Sequence, residues 1–359
     1  AALEGRRVVL VEARDFACGT SSRSTKLLHG GVRYLAQGHI PLVREALRER
    51  GTILQLAPHL AQPLPFVVAE KHWWSWAITS LGLKLYGAMA GRLGLGPTEL
   101  LSAQTLRALM PSLPKPFAGV RYWDGQFEDA RLALALARTA DAAGAVLRNH
   151  TRVIGIDRQP EGWRVSLRDG LSGETATLHT RCVVNATGVW IDHLRHQALM
   201  QNRPDTSPVT ASMVRPSQGV HLVVARERLP IEEAVLIPRT ADGRVLFAVP
   251  WLGATLIGTT DTPRSDAPLE PLPLQEELDF LFRETRQSLG VDLTRADVRS
   301  VWVGLRPLVD SAKGGATSQM SREHLIRREA PGLFTVTGGK WTTYRSMAAQ
   351  VMQSLVGQG

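Results

Sequence analysis

The feature that most limits what this chain can fold into is its opening strand, Val8-Val9-Leu10-Val11, which ends in the acid Glu12. In a dinucleotide-binding βαβ unit this is the second strand, and an acidic residue at its end takes the ribose hydroxyls. Ala1-Ala2-Leu3-Glu4-Gly5 then reads as the last turn of the connecting helix, with Gly5 just past its end. The first strand of such a unit, with its G-x-G-x-x-G turn, belongs about 20 residues earlier. The same residues equally fit any buried strand that ends in a solvated Glu. Pattern alone leaves both readings open.

Composition narrows the field. With 359 residues there is room for two ordinary domains or one large one. Hydrophobic residues at 44% and charged residues at 21% support a buried core and exclude a disordered chain. Cys18 and Cys182 are the only cysteines and form no C-x-x-C, which excludes a disulfide framework and a Cys-rich zinc site. No metal is expected. No uncharged apolar run reaches the roughly 18 residues of an ordinary transmembrane helix. A formal charge of +9 points to anionic partners such as phosphates, nucleic acid or acidic lipid. Nucleic acid is disfavoured, because the Lys and Arg residues are dispersed and acids interleave them.

Further along, Gly19-Thr20-Ser21-Ser22-Arg23-Ser24-Thr25-Lys26-Leu27-Leu28-His29-Gly30-Gly31 is rich in hydroxyls and closes on two glycines. Such a stretch can surround a phosphate, since glycine allows close backbone approach. A solvated loop would explain the hydroxyls but not Leu27-Leu28. A helix is expected over 41–55, with Pro41 near its start; Pro58, Pro63 and Pro65 break the pattern before a short strand at 66–68. A helix is expected from Phe127 to Ala143, and strands at 146–147, 153–156, 163–167 and 177–184. Strands at 219–224, 234–237, 245–249 and 255–258 follow, then an acidic helix over 274–289, strands at 300–303 and 333–337, and a final helix from Thr342.

The segment Gly19 to Leu35 closely resembles the FAD-dependent glycerol-3-phosphate dehydrogenases of the aerobic, quinone-linked type. Agreeing segments follow in order: Asn185-Ala186-Thr187-Gly188, Leu256-Ile257-Gly258-Thr259-Thr260-Asp261, Trp302 to Leu308, and Gly338-Gly339-Lys340-Trp341-Thr342-Thr343-Tyr344-Arg345. The resemblance implies an α/β chain, α+β overall: a Rossmann-like FAD-binding domain of the glutathione-reductase and D-amino-acid-oxidase type, with an antiparallel-sheet substrate domain. The FAD domain is expected from 1–45, 122–205 and 295–359, and the substrate domain from 46–121 and 206–294. It also implies that the family's first strand and glycine turn precede residue 1 and its helical C-terminal domain follows residue 359, so weak FAD binding is expected of the chain as given.

The implied activity is oxidation of sn-glycerol 3-phosphate to dihydroxyacetone phosphate by hydride transfer to FAD, with electrons passed to a membrane quinone. An oxidase returning them to oxygen, or a catalytically silent fragment, are the alternatives. For FAD the resemblance points to Glu12, Thr20, Ser21, Ser22, Lys26, Leu28, His29, Gly30, Gly31, Val153, Ala186, Thr187, Gly188, Gly338, Gly339, Lys340, Trp341 and Thr342. Arg33, Tyr34 and Arg322 are implied for the substrate, with Lys340 a further cation for its phosphate. His221 and Arg306 are placed at the reacting end and, with Lys340, make up the implied catalytic set. His221, with an ordinary pKa near 6.5, is expected to take a proton at neutral pH; read without the resemblance, it is a strand histidine.

The expected setting is cytoplasmic, peripheral on the inner face of the cell membrane, with room for a homodimer. Residues 71–92 are the expected membrane contact. Trp73, Trp74 and Trp76 suit the headgroup level, Leu81, Leu85 and Met89 recur at spacing four, and Lys71, Lys84 and Arg92 favour anionic lipid. A buried helix is the competing reading, and Gly82 and Gly87 weaken the helix itself.

Overall fold

A computed structural model describes residues 1–36, 38–200, 212–309 and 324–356, with Arg33 and Ala36 traced by backbone alone. The chain begins with β1 (Val9–Val11), β2 (Leu27–Leu28), α1 (Val32–Ala36), α2 (Ile40–Leu56), β3 (Ala61–Glu70) and α3 (Trp73–Ala90). Then come β4 (Glu99–Ser102), α4 (Ala103–Leu109), β5 (Ala118–Phe127), α5 (Asp129–Ala142), β6 (Val146–Arg148), β7 (Thr151–Gln159) and β8 (Gly162–Asp169). These lead to β9 (Thr175–Thr180), β10 (Val183–Asn185), α6 (Ile191–Met200), β11 (Val214–Ala225), β12 (Ala234–Ile237), β13 (Leu246–Trp251) and β14 (Ala254–Gly258). The chain continues through β15 (Thr262–Pro263), α7 (Gln275–Leu289), β16 (Val298–Val309), β17 (His324–Ala330), β18 (Leu333–Gly338) and α8 (Tyr344–Val356).

The parallel pairs β1–β6 and β10–β18 form the Rossmann-like part, with β17 antiparallel on β18 and a separate β7-β8-β9 antiparallel sheet. A ten-stranded sheet dominates the rest, running β15-β11-β14-β13-β12-β3-β5-β2, with β16 also on β11 and β4 also on β5. All its pairs are antiparallel except β12 with β3. It draws on both sets of segments expected from the sequence: β5 spans the 121/122 boundary and β16 falls within 295–359.

Local chemistry explains several boundaries. α2 begins with a proline in its first turn, where a missing N–H costs nothing. α7 starts with a one-sided cap, the Glu277 carboxylate accepting the Leu274 N–H, and ends at Gly290 in the left-handed conformation (φ 70°). Pro63 and Pro65 do not break the chain as expected; β3 runs straight through them. Among the described residues β12 meets β3 only at Phe66 and Val67, so the edge of β3 away from β5 has no partner at either proline, where proline is tolerated. The single strand expected over 177–184 is two, because the Thr180 hydroxyl bonds the Cys182 backbone and turns the chain from one sheet into another.

Two apolar cores sandwich the large sheet. One packs α4 and α7 on it through Leu106, Phe280, Leu281 and Leu289; the other packs α2 and α3 through Val43, Leu47, Leu83 and Tyr86. Inside the second lies an ion pair, Arg50 Nη1 to Asp124 Oδ1 at 2.8 Å, with both side chains 1% exposed. Asp124 Oδ2 also accepts from the Tyr86 hydroxyl, which in turn accepts the Gly30 N–H. Burial and the Asp124 charge push the Tyr86 phenol well above its usual range, so it remains a donor. Removing one partner of such a pair leaves a desolvated charge. Arg50→Met is therefore expected to cost about 3–5 kcal/mol in chemical denaturation. Arg121→Met, whose bridges to Glu99 and Glu233 are part-exposed, is expected to cost about 1 kcal/mol or less.

Candidate active site

The site grows from the pairing of β11 with β16. Ser217 stands opposite Arg306, Gly219 opposite Gly304, and His221 opposite Trp302, while His221 also faces Gly258 of β14. Directly paired residues share a face, so His221, Trp302 and Arg306 project together from a strip floored by glycine. A Cβ built on Gly219 would lie 2.6 Å from Thr259 Oγ1 and 2.8 Å from Arg306 Cζ, and one on Gly258 would run into the His221 ring. Both side chains lie flat on backbone that carries no side chain.

Arg306 donates from Nη2 to Thr259 Oγ1 (2.8 Å) and the Thr260 carbonyl (3.1 Å), and from Nη1 to Asp261 Oδ1 (3.3 Å), which also accepts from Ser217. His221 is buried, its ring stacked on Trp302 with centroids 5.5 Å apart and its Nε2 2.9 Å from Thr25 Oγ1. Its Nδ1 has no hydrogen-bond partner among the described residues. Burial lowers the imidazole pKa well below the ordinary 6.5, and the Arg306 and Lys26 charges push the same way. The sequence expectation of an unperturbed histidine is corrected here: His221 is neutral throughout the neutral pH range.

The hydroxyl-rich segment wraps this strip. Thr20 donates to the Leu305 carbonyl (2.6 Å), and the Trp341 indole N–H to the Ser21 carbonyl (2.8 Å). Ser22 offers its carbonyl to Lys26 Nζ (2.6 Å), which also pairs with buried Asp129 (2.6 Å) at the start of α5. Leu28 is buried, and the His29 carbonyl accepts from Thr342 Oγ1. Gly31, at φ 82°, lets the Tyr34 ring close over it, and Lys340 Nζ sits 4.0 Å from the centre of that ring. Gly338 and Gly339 have φ of 75° and 76° just before the turn that begins α8. That turn is not capped by the Thr342 side chain.

The remaining expected residues lie elsewhere. Glu12 sits beyond β1 and accepts the Arg14 N–H with one carboxylate oxygen. Val153, on β7, packs in a cluster with Val11. Asn185 organises the turn after β10, accepting from the Thr187 N–H and hydroxyl, so that Ala186 and Thr187 lead into Gly188 at φ 63°. Arg33 lies on α1, described by its backbone alone, and Arg322 lies outside the described residues. Thr25, Thr259, Asp261 and Trp302 were not among the residues singled out. Their signal was present in the hydroxyl-rich segment, the Gly258-to-Asp261 turn and the Trp302 segment, but which side chains face the strip depends on strand register.

Residues 1–351 match the family model described as FAD dependent oxidoreductase. The chain belongs to that family. It is 40% identical over 374 residues to the mitochondrial glycerol-3-phosphate dehydrogenase of Macaca fascicularis, covering 99% of this chain and 50% of that protein. It is also 40% identical over 363 residues to glycerol-3-phosphate dehydrogenase 2 of Mycobacterium bovis, covering 99% and 60% respectively. The solved glycerol-3-phosphate dehydrogenase of Bacillus halodurans, in complex with FAD, superposes with a TM-score of 0.75 at 30% identity, covering 99% of this chain and 60% of that one. The chain thus spans about half the length of the first curated relative.

The residues present fit the family's cofactor, FAD. On β18, which leads into the two left-handed glycines, the Thr335 and Thr337 hydroxyls are buried without a hydrogen-bond partner among the described residues. Buried hydroxyls left unpaired call for a ligand with polar groups, and the start of α8 adds N–H donors. The glycine strip makes a direct prediction for the protein itself. Gly219→Ala is expected to destabilise by about 1–3 kcal/mol, because the added methyl overpacks Arg306 and Thr259. Gly82→Ala, on α3 with nothing within 4 Å, is expected to stabilise by about 0.5–1 kcal/mol. Thermal unfolding of the two variants reads both signs.

Proposed function

We propose that the protein oxidises sn-glycerol 3-phosphate at C2 to dihydroxyacetone phosphate and passes the electrons to a membrane quinone. The observation that carries this reading is the joint placement of neutral His221 and charged Arg306 on one glycine-floored strip beside the Thr20-to-Gly31 segment. The likeness to named glycerol-3-phosphate dehydrogenases supports the substrate. Bound FAD supplies the two-electron acceptor for the C2 hydrogen. Thr20 to Gly31, Ala186 to Gly188 and Gly338 to Thr342, with Glu12 and Val153 farther along, are the residues that would hold it.

His221 takes the C2 hydroxyl proton. Its depressed pKa keeps the imidazole in the base form, and Thr25 and Trp302 fix the ring. Arg306, locked by Thr259, Thr260 and Asp261, steadies the oxygen as charge builds on it. Lys340 and Tyr34, with Arg33 and Arg322, receive the phosphate, where guanidinium and ammonium donors suit a dianion. The FAD-loaded, full-length protein is expected to lose its visible flavin bands anaerobically on adding glycerol 3-phosphate. His221→Ala is expected to slow turnover by about 10²-fold or more. Because His221 must be neutral and burial holds its pKa well below the ordinary 6.5, kcat/KM should be flat across neutral pH and fall only well below pH 6.5. Wild-type turnover in the His221 variant would remove it as the base.

A quinone acceptor requires contact with a bilayer, on the inner face of the cell membrane in this reading, and α3 carries the surface for it. Trp73, Trp74, Ile78, Leu81 and Leu85 are all at least half exposed on this helix, which holds no acid, and Lys71, Lys84 and Arg92 are exposed beside them. Trp76 and Met89 turn inward instead, Trp76 donating to the Gly119 carbonyl. No helix among the described residues is long and apolar enough to cross a membrane, so the contact is interfacial. Changing Trp73, Trp74 and Leu81 to Ser with Lys84→Glu is expected to abolish flotation with anionic vesicles and quinone reduction. Activity with a soluble dye should survive. Retained flotation in the folded variant counts against α3, and wild-type turnover with oxygen as fast as with quinone favours an oxidase.

A further inference from the structure

We propose that Glu277, on α7, is a positioning residue for both Arg306 and His221; the inference rests on the roles given to those two side chains above. Glu277 is 3% exposed. Its Oε2 accepts from the Leu274 N–H (3.0 Å) and Gln218 Nε2 (2.7 Å), and its Oε1 from the hydroxyls of Thr260 (2.9 Å) and Thr262 (2.7 Å). Starting a helix needs only the first of these contacts. The other three reach out of α7 to β11, to the turn that holds Arg306 and to β15.

The direction of these hydrogen bonds matters. An ionised carboxylate only accepts, so the single Thr260 hydroxyl proton must point at Glu277. The Thr260 oxygen is then left as an acceptor, and the Val220 N–H donates to it at 2.9 Å. Val220 is the residue before His221. The Thr260 carbonyl in turn accepts from Arg306 at 3.1 Å. Through one threonine the carboxylate sets the strand position of the histidine and the seat of the arginine. A glutamine at 277 can offer an N–H to Thr260, reverse that hydroxyl, and set its proton against the Val220 N–H.

The test uses full-length, FAD-loaded protein reduced anaerobically by glycerol 3-phosphate in a stopped-flow instrument. Glu277→Gln is expected to lower the limiting rate of flavin reduction by about 10- to 100-fold, with FAD content unchanged. Thr260→Val is expected to do the same and Thr260→Ser to keep the wild-type rate, while the Glu277→Gln, Thr260→Val double variant falls no further than either single one. Glu284→Gln is the control for burial alone: it lies on the same helix at 1% exposure, with the Ala241 N–H bonded to it at 3.3 Å. Its rate is expected within about twofold of wild type, whatever its melting temperature.

A wild-type limiting rate in Glu277→Gln, an equal fall in Glu284→Gln, or full additivity with Thr260→Val overturns the proposal. Should Glu277→Gln fail to fold, the Thr260 pair decides: a slow valine with a normal serine supports it, and a fast valine overturns it. A wild-type flavin that glycerol 3-phosphate leaves oxidised sinks the functional reading as well, whereas a reduced wild type with an unaffected variant sinks this inference alone.

Discussion

The pairing of β11 with β16 places Gly219 against Gly304 and His221 against Trp302, and the rest of the site depends on it. Arg306 can lie across β11 only because position 219 has no Cβ, and the His221 ring can lie over β14 only because position 258 has none. A shift of one residue in the β11–β16 pairing would send histidine and arginine to opposite faces of the sheet. Long pairing protects against that slip. β11 is matched along β16 from Val214 to Val224, with its one irregularity at Val223, beyond the site.

Around this strip the protein spends buried charge freely. Lys26 with Asp129, Arg50 with Asp124, and Glu277 with its four neutral donors each sit where water does not reach. Such groups contribute little net stability compared with apolar packing of the same volume. What they supply is direction, because each tolerates only one arrangement of its neighbours. Lys26 is held in the left-handed conformation, φ 63°, with its ammonium on Asp129 and the Ser22 carbonyl. The segment that runs under the site is therefore pinned at Lys26 and, through its ammonium, at Ser22.

The helices and most strands were legible because hydrophobic period and turn residues are local. α2 and α7 lie within a residue of the expected bounds, and the expected strand at 234–237 matches β12. What the sequence withheld is what distant segments do to one another. Nothing near His221 in the chain reveals that Lys26 and Arg306 crowd it or that burial drives off its proton. Nothing near Pro63 reveals that, among the described residues, the edge of β3 away from β5 has no partner there. The tryptophans of α3 share one cluster in sequence, yet Trp73 is 68% exposed while Trp76 packs inward, a split set by the helix's rotation against β5. Glu277 reads as an ordinary helix-start glutamate until the turn at Thr260 is brought to it.

The Tyr86 hydroxyl gives α3 a second face. While Leu81 and Leu85 look outward, Tyr86, one residue beyond Leu85, takes the Gly30 N–H at 2.8 Å, next to the glycine on which Tyr34 and Lys340 close. The outward face of the helix and the Gly30 loop are thus joined through one buried side chain, with Asp124 as its anchor in the core. A substitution on the outer face of α3 is then expected to register at the loop around Gly30 as well, so the two surfaces answer to one another although one faces out and the other is buried.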